Sequence, residues 1–288
     1  MSETILKTPK TFDEQVEILK THGVIIHDDE QCKSFLSKVN YYRLSGYFLP
    51  FFRDNAVISF DIIRNVYNFD QEMRNLIFKS IEKIEIFIRT QIAYFFSHEY
   101  DAEGYLQREN FNEQFAFDKF EKRFRSCIRE NRKSPVIKHH KKKYHSHFPL
   151  WTVIDYFSLG MLSYFYTGMK KPDKQYLAEN MYHIDHKTLS GWMKSLADLR
   201  NRCAHYARLY YWSFPSVPAV RRRDKEIHLN HKLFSQLYML KELYPVPDQW
   251  NREFFLPLYD LIDKYKTSIR LKDIGFPDNW ISILNQES

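Results

Sequence analysis

The feature that most constrains this chain is the stretch of residues 61–97, in which apolar side chains recur at steps of three and four. That spacing aligns them along one side of an α-helix, so we predict a single long helix that packs against a core. Glu85 and Arg89, four residues apart on the other side, can form an ion pair. The apolar stripe comprises Ile62, Val66, Phe69, Met73, Leu76, Ile77, Ile81, Ile84, Ile88 and Ile92, and the opposite side carries Arg74, Glu82, Glu85 and Arg89.

The rest of the chain also favours helices. It has only 7 glycines in 288 residues, whereas sandwiches and barrels need many glycine turns, so we predict an all-α fold. Thr11 followed by Glu14 forms a capping box at the start of a first helix. Gly46 and Pro50 predict a turn or extended segment over residues 40–47.

We divide the chain into three segments. Residues 1–56 form a helical and turn segment packed on the core, residues 57–212 form the helical core with a basic insertion at 119–147, and residues 213–288 form a C-terminal helical segment. Residues 151–166 are apolar but too short and too polar to span a bilayer, so we predict a buried helix there and no membrane partner.

A strongly basic strip lies within residues 119–147. It contains eleven lysines and arginines against two acids, Glu121 and Glu130, a net charge of +9 in a chain whose total is +7. A local excess of this size predicts a surface that binds a polyanion such as RNA, although a merely solvated surface is the alternative. The cations are Lys119, Lys122, Arg123, Arg125, Arg129, Arg132, Lys133, Lys138, Lys141, Lys142 and Lys143.

The cysteines indicate the compartment. Three widely separated cysteines, Cys32, Cys127 and Cys203, fit a reducing cytosol rather than a disulfide framework. The N-terminal residues have no apolar leader core, so we expect a cytoplasmic protein. No pair of cysteines has zinc-ligand spacing, and we expect no metal or other cofactor.

The candidate active site lies in a second amphipathic helix, predicted over residues 188–209. Arg200, Asn201 and His205 project away from its apolar stripe. Histidine transfers protons near neutral pH, and the planar guanidinium of arginine fits a phosphate. Since RNA supplies its own nucleophile, the 2′-hydroxyl, these groups could cleave RNA without a metal. The stripe comprises Leu189, Trp192, Leu196, Leu199, Cys203 and Tyr206.

An arginine followed by a histidine after four to six residues is a weak pattern, and the chain contains other matches. Arg132 precedes His139, but Pro135 interrupts them, and residues 221–223 precede His228 in a region with loop character. By pattern alone, surface residues without a role are as good an interpretation. A non-catalytic RNA-binding protein and a helical protein-interaction module also remain open.

The sequence resembles the AbiD/AbiF-type abortive infection proteins of bacteria, and Arg200-Asn201-x-x-Ala204-His205 resembles the catalytic motif of HEPN ribonucleases. The resemblance extends over most of the chain. Its residues are Thr11-Phe12-Asp13-Glu14-Gln15, Asn40-Tyr41-Tyr42-Arg43-Leu44-Ser45-Gly46-Tyr47, Tyr67-Asn68-Phe69-Asp70 with Met73-Arg74, Ile81-Glu82-Lys83-Ile84-Glu85 through Arg89, Pro149-Leu150-Trp151 and Gly275-Phe276-Pro277-x-Asn279-Trp280.

This resemblance implies a HEPN-like helical bundle and an endoribonuclease of antiviral defence, with Arg200, Asn201 and His205 as catalytic residues. It implies a homodimer, in which two motifs meet across the interface. It implies a structured small non-coding RNA as a further partner beside the RNA substrate. By the same resemblance, Glu85 and Arg89 are expected to support the site.

Overall fold

The first elements begin where polar side chains can cap them. A computed structural model describes residues 8–53 and 58–286 of the chain. Helix α1 (Phe12–Thr21) follows Thr11, whose hydroxyl accepts the Glu14 N–H while the Glu14 carboxylate accepts the Thr11 N–H, which confirms the predicted capping box. Strand β1 (Val24–Ile25) and helix α2 (Asp29–Leu36) come next.

Helix α3 (Tyr41–Arg53) replaces the turn that we predicted over residues 40–47, so that prediction was wrong. The Asn40 side chain accepts the N–H of Tyr42 at 2.8 Å and caps the new helix. Burial of Leu44 and Phe48 on one side outweighs the roughly 1 kcal/mol that Gly46 costs inside a helix. Strand β2 (Ile58–Ser59) then pairs in parallel with β1.

Helix α4 (Phe60–Tyr100) spans 41 residues and confirms the predicted long helix. The predicted stripe is buried, except that Ile62 and Leu76 are half-buried. Arg74 and Arg89 were predicted on the side opposite the apolar stripe. They are instead buried, since they are only 4% and 7% exposed. Each has a buried polar partner described below, which makes an internal arginine tolerable.

The basic strip forms two helices, α5 (Phe117–Glu130) and α6 (Pro135–Lys143), after a stretch with two short 3-10 turns. The single buried helix predicted over residues 151–166 is wrong. Helix α7 (Leu150–Val153) passes into a 3-10 turn, and α8 (Leu159–Gly168) starts anew after Ser158, whose hydroxyl accepts the Met161 N–H. Between them, the carbonyls of Ile154 and Phe157 accept hydrogen bonds from Arg89, and the Ile154 carbonyl also accepts the Phe157 N–H that closes the 3-10 turn.

The remaining helices complete one core around α4, which contacts α3, α7, α8, α9, α10, α11 and α13 and therefore elements of all three predicted segments. The all-α class is confirmed. Two predictions lie outside the described residues. They are the boundary between residues 56 and 57 and the absence of a leader in residues 1–7. The helices are α9 (Lys171–Tyr182), α10 (His186–Ala204), α11 (Leu233–Leu243), α12 (Pro247–Trp250), α13 (Leu256–Tyr265) and α14 (Trp280–Leu284).

Within residues 8–53 and 58–286, no helix combines the length and the apolar character needed to cross a bilayer.

Candidate active site

Helix α10 presents the Arg200–His205 motif at its C-terminal end. Asp185 caps its start by accepting the N–H groups of Lys187 and Thr188. Five of the six predicted stripe residues are buried and hold α10 against α4 and α8. The sixth, Tyr206, is 70% exposed, so its assignment to the stripe was wrong.

The helix ends at Ala204, five residues before the predicted end. The His205 N–H still donates to the carbonyl of Asn201 at 3.0 Å, so these two residues keep the relation of helical neighbours. Tyr206 then has a φ of 55°, in the left-handed region, and the chain turns away. Arg208 therefore lies on the loop and not on the motif face of α10.

A buried carboxylate on α4 holds the segment that follows the helix. Asp70 accepts the N–H of Leu209 at 3.1 Å and the N–H of Tyr210 at 2.8 Å. It also accepts the Tyr47 hydroxyl at 2.6 Å and forms an ion pair with Arg74. These bonds attach the backbone after the motif to α4, whereas α10 itself ends in the turn at Tyr206, where the N–H groups of Tyr206 and Ala207 donate to the carbonyls of Cys203 and Arg202.

The charges around Asp70 balance one another. Burial alone would lower the pKa of Arg74, but the Asp70 carboxylate raises it above the usual range of an arginine. Burial raises the pKa of Asp70, and the positive charge of Arg74, the Tyr47 hydroxyl and two backbone N–H groups counteract only part of that rise. The ion pair and the hydrogen bonds to Asp70 thus anchor the segment after the motif.

Further cations fix the loop itself. Arg202 donates to the carbonyl of Arg208 at 2.6 Å, and its guanidinium lies 3.5 Å from the ring centroid of Trp212. Arg43, on α3, donates to the carbonyl of Tyr206. The loop that follows His205 is therefore attached to α3, to α4 and to α10, which makes the C-terminal end of α10 rigid.

The motif side chains stay accessible on this rigid base. Asn201 and His205 are exposed and Arg200 is half-buried. Arg200 Nη1 lies 3.4 Å from Asn201 Oδ1. Within the described part of the chain, no carboxylate pairs with Arg200 and no hydrogen bond engages the His205 ring. A cation, an amide and an imidazole are thus available to a phosphate from solvent.

Cys203, next to the motif, is not a nucleophile. Its side chain is buried, and burial raises the pKa of the thiol to about 12, which keeps it protonated at neutral pH. No group of three or more His, Cys, Asp or Glu side chains among the described residues is placed to hold a metal ion.

Comparison with known proteins identifies the family. The sequence model of the Abi-like protein family matches residues 34–211, which include α3, α4 and the motif on α10. The chain belongs to the Abi-like protein family. This membership supports an abortive-infection-type function. No curated protein and no solved structure shows significant similarity to it.

The Abi-like region also contains the basic strip, all eleven cations of which are exposed. Only Arg125 has an ion-pair partner in the described residues, namely Glu121 on the same helix. Lys119 and Arg123 lie over the ring of Tyr164, 5.8 and 5.4 Å from its centroid. The strip is therefore a surface of largely unneutralised positive charge on α5 and α6.

Glu85 and Arg89 pair with each other as their spacing predicted. Arg89 also donates to the carbonyls of Ile154 and Phe157, so it joins α4 to the turn between α7 and α8. It lies 19 residues beyond Asp70, about 28 Å along the helix axis. Within one subunit the pair does not contact the motif, and its support of the site stays a prediction.

The other arginine–histidine matches to the motif pattern do not share the environment of Arg200 and His205. Arg221 and Arg223 form ion pairs with Glu242, whose side chain is 3% exposed, so this carboxylate neutralises them. Arg132 lies on the exposed turn between α5 and α6, and Pro135 at the start of α6 separates it from His139.

Sequence reasoning missed Asp70, Tyr47 and Arg43 as residues that position the motif. Two features of the sequence could have indicated them. Asp70 is a charged residue within an apolar stripe, and it precedes Arg74 by one helical turn. All three lie in the strings that carry the family resemblance.

Proposed function

We propose that this chain is a metal-independent endoribonuclease of the abortive infection type, with its active site at Arg200, Asn201 and His205. The observation that carries the proposal is the state of the motif. In the described residues, Arg200 has no carboxylate partner and the His205 ring has no hydrogen bond, and both lie at a helix end whose following segment is held by buried Asp70. A rigid base beneath accessible charged groups is typical of a catalytic site.

The reaction needs only a proton acceptor, a cation and a proton donor. A base removes the proton of the 2′-hydroxyl, the 2′-oxygen bonds to the adjacent phosphorus, and the bond from phosphorus to the 5′-oxygen breaks. The 5′-oxygen takes up a proton, leaving a 2′,3′-cyclic phosphate and a 5′-hydroxyl. His205 is the proton-transfer group, Arg200 stabilises the charge on the phosphorane, and Asn201 orients the phosphate or Arg200.

The chain acts as a homodimer in this proposal, because it supplies one such motif and two proton-transfer groups serve the reaction. Two copies of the exposed end of α10 would face each other across the interface. The basic strip on α5 and α6 would bind the substrate, or a structured small RNA that regulates the enzyme.

Incubation of the purified protein with mixed RNA in EDTA tests the proposal. We expect fragments that carry 2′,3′-cyclic phosphate and 5′-hydroxyl ends, and no fragments from His205→Ala or Arg200→Ala. Arg222→Ala/His228→Ala is the matched control, because both residues are exposed and lie at a permitted spacing away from α10. If the purified protein, free of bound RNA, cleaves no RNA, the proposed endoribonuclease activity is refuted.

A non-catalytic RNA-binding protein is the second candidate, favoured by the exposed cations of α5 and α6. The Arg200→Ala/His205→Ala double variant separates the two. Retained RNA affinity with lost cleavage and lost phage protection supports the enzyme. Undiminished phage protection by this variant supports binding alone, and a dimer without RNA affinity at low salt supports a protein-interaction module.

A further inference from the structure

A cavity of about 530 Å³ lies between the C-terminal turns of α4 and the start of α7. Its size is within the range of small-ligand sites. Tyr94 and Trp151 line it, although their side chains are 66% and 55% exposed, and Ala93 and Ile154 add apolar surface. The Tyr94 ring packs on the His98 ring, with centroids 4.1 Å apart, but remains largely exposed, so Tyr94 and Trp151 are both available to stack on a flat ligand.

The polar groups of this cavity are mainly hydrogen-bond acceptors. The carboxylates of Asp101 and Asp155 line it, and both residues are exposed. His98 Nδ1 lies 2.7 Å from the carbonyl oxygen of Tyr94 and donates to it, which leaves Nε2 for a ligand. The hydroxyl oxygen of Ser97 is buried and has no hydrogen-bond partner in the described part of the chain.

The cavity adjoins the basic strip. Trp151 also lines a second cavity of about 360 Å³, together with His139 and His140 of α6 and Tyr144 just after it. The exposed lysines of α6, Lys138, Lys141, Lys142 and Lys143, belong to the same short helix. A strand whose phosphates lie along α6 therefore passes close to Trp151.

We propose that the cavity between α4 and α7 is a nucleobase pocket, which takes one unpaired base of an RNA bound along α6. Aromatic faces stack on bases of unpaired RNA. Carboxylates repel phosphate but accept hydrogen bonds from exocyclic amino groups, as in the pairing of Asp or Glu with cytosine. Uracil offers a single N–H between two carbonyl oxygens that carboxylates repel, so the pocket favours adenine, cytosine or guanine. This inference rests on the proposed binding of RNA by the strip and not on cleavage at His205.

Binding of labelled ten-nucleotide oligocytidine and oligouridine tests the pocket. The protein carries His205→Ala so that the RNA stays intact, and fluorescence anisotropy reports the affinity. We expect oligocytidine to bind more tightly, and Trp151→Ala to weaken that binding about tenfold. Asp155→Ala should reduce the preference for cytosine. Tyr259→Ala on α13, 46% exposed, is the matched aromatic control and should change neither affinity.

Ultraviolet crosslinking gives an independent readout, with oligocytidine expected on peptides that contain Tyr94 or Trp151. Unchanged affinity of Trp151→Ala, together with loss of affinity in Lys141→Glu/Lys142→Glu, overturns the pocket and leaves the proposed function standing. Absence of binding to both oligonucleotides by the protein with an unsubstituted pocket overturns the pocket and RNA binding by the strip, whereas the cleavage assay alone decides the enzyme. A change of oligomeric state in Trp151→Ala without a change of RNA affinity assigns this surface to a second copy of the chain and overturns the pocket as well.

Discussion

Asp70 is the residue on which the geometry of the motif most depends. Its carboxylate lies inside the core, and four groups from three parts of the chain converge on it: the Tyr47 hydroxyl, Arg74 and the backbone of Leu209 and Tyr210. A buried charge of this kind tolerates the loss of a partner poorly, because the group left behind is desolvated and unpaired.

Asp70→Ala should therefore lower the free energy of unfolding by about 3–5 kcal/mol, since it leaves Arg74 buried without a counter-charge. Tyr47→Phe, which removes one hydrogen bond and keeps the ring, should cost about 1 kcal/mol. Urea unfolding followed by circular dichroism measures both. Equal stability of Asp70→Ala and the unsubstituted protein would contradict the role of this anchor.

Arg89 allows a second test of how much a buried arginine contributes to stability. Arg89→Met should lower the free energy of unfolding by about 3 kcal/mol, because Glu85 and two buried carbonyls lose their donor. Cleavage per folded molecule, measured at a temperature where the variant is folded, decides its other role. A normal rate shows that the pair only stabilises the turn after α7, whereas a lower rate supports the predicted link to the active site.

At the scale of elements, the sequence predicted the helices with long apolar stripes and failed where distant groups intervene. Helix α4 and the start of α10 follow from periodicity, because their own spacing determines which side is buried. The end of α10 does not, since it depends on the left-handed turn at Tyr206 and on Asp70, which lies more than a hundred residues away in sequence and holds the segment after that turn. At the break between α7 and α8, Arg89 likewise binds carbonyls that are distant from it in sequence. The position of the motif away from the apolar stripe of α10 predicted that its side chains are accessible. The sequence did not predict how the motif is attached to the core.

Tyr206 tests the turn that ends α10. Its φ of 55° disfavours a β-branched side chain, so Tyr206→Ile should lose about 1–2 kcal/mol of stability. Tyr206→Gly should stay within about 1 kcal/mol of the unsubstituted protein, since glycine adopts this conformation freely but also gains entropy when unfolded. The ring is 70% exposed, so reduced packing contributes little to either value. Chemical unfolding of the two variants gives the comparison, and an isoleucine variant as stable as the glycine variant would rule out the strain.

At the scale of the whole molecule, the basic strip is separate from the candidate active site. The cations of α5 and α6 are exposed and mostly unpaired in the described residues, and they belong to a different part of the fold from the motif. In the function we propose, an RNA that uses both surfaces would be held by many weak, salt-sensitive contacts and cut at one point.

Lys141→Glu/Lys142→Glu should weaken RNA binding and reduce the slope of log affinity against log salt by about 0.7 for each phosphate of a single strand that the variant no longer binds. Lys38→Glu/Lys225→Glu changes the net charge equally at exposed positions outside the strip and serves as the control. Filter binding at several salt concentrations measures the slopes. Identical slopes for the two double variants would mean that only net charge matters and that the strip is not a specific surface.

Helix α4 carries both Asp70, which anchors the segment after the motif, and Tyr94, which lines the cavity between α4 and α7. Their separation of 24 positions in sequence corresponds to about 36 Å along the helix axis. At about 3.4 Å for each stacked nucleotide, a strand that reaches from one to the other within a subunit must contain about ten nucleotides. The helix would thus act as a molecular ruler, and cuts should fall at a constant distance from a recognised base.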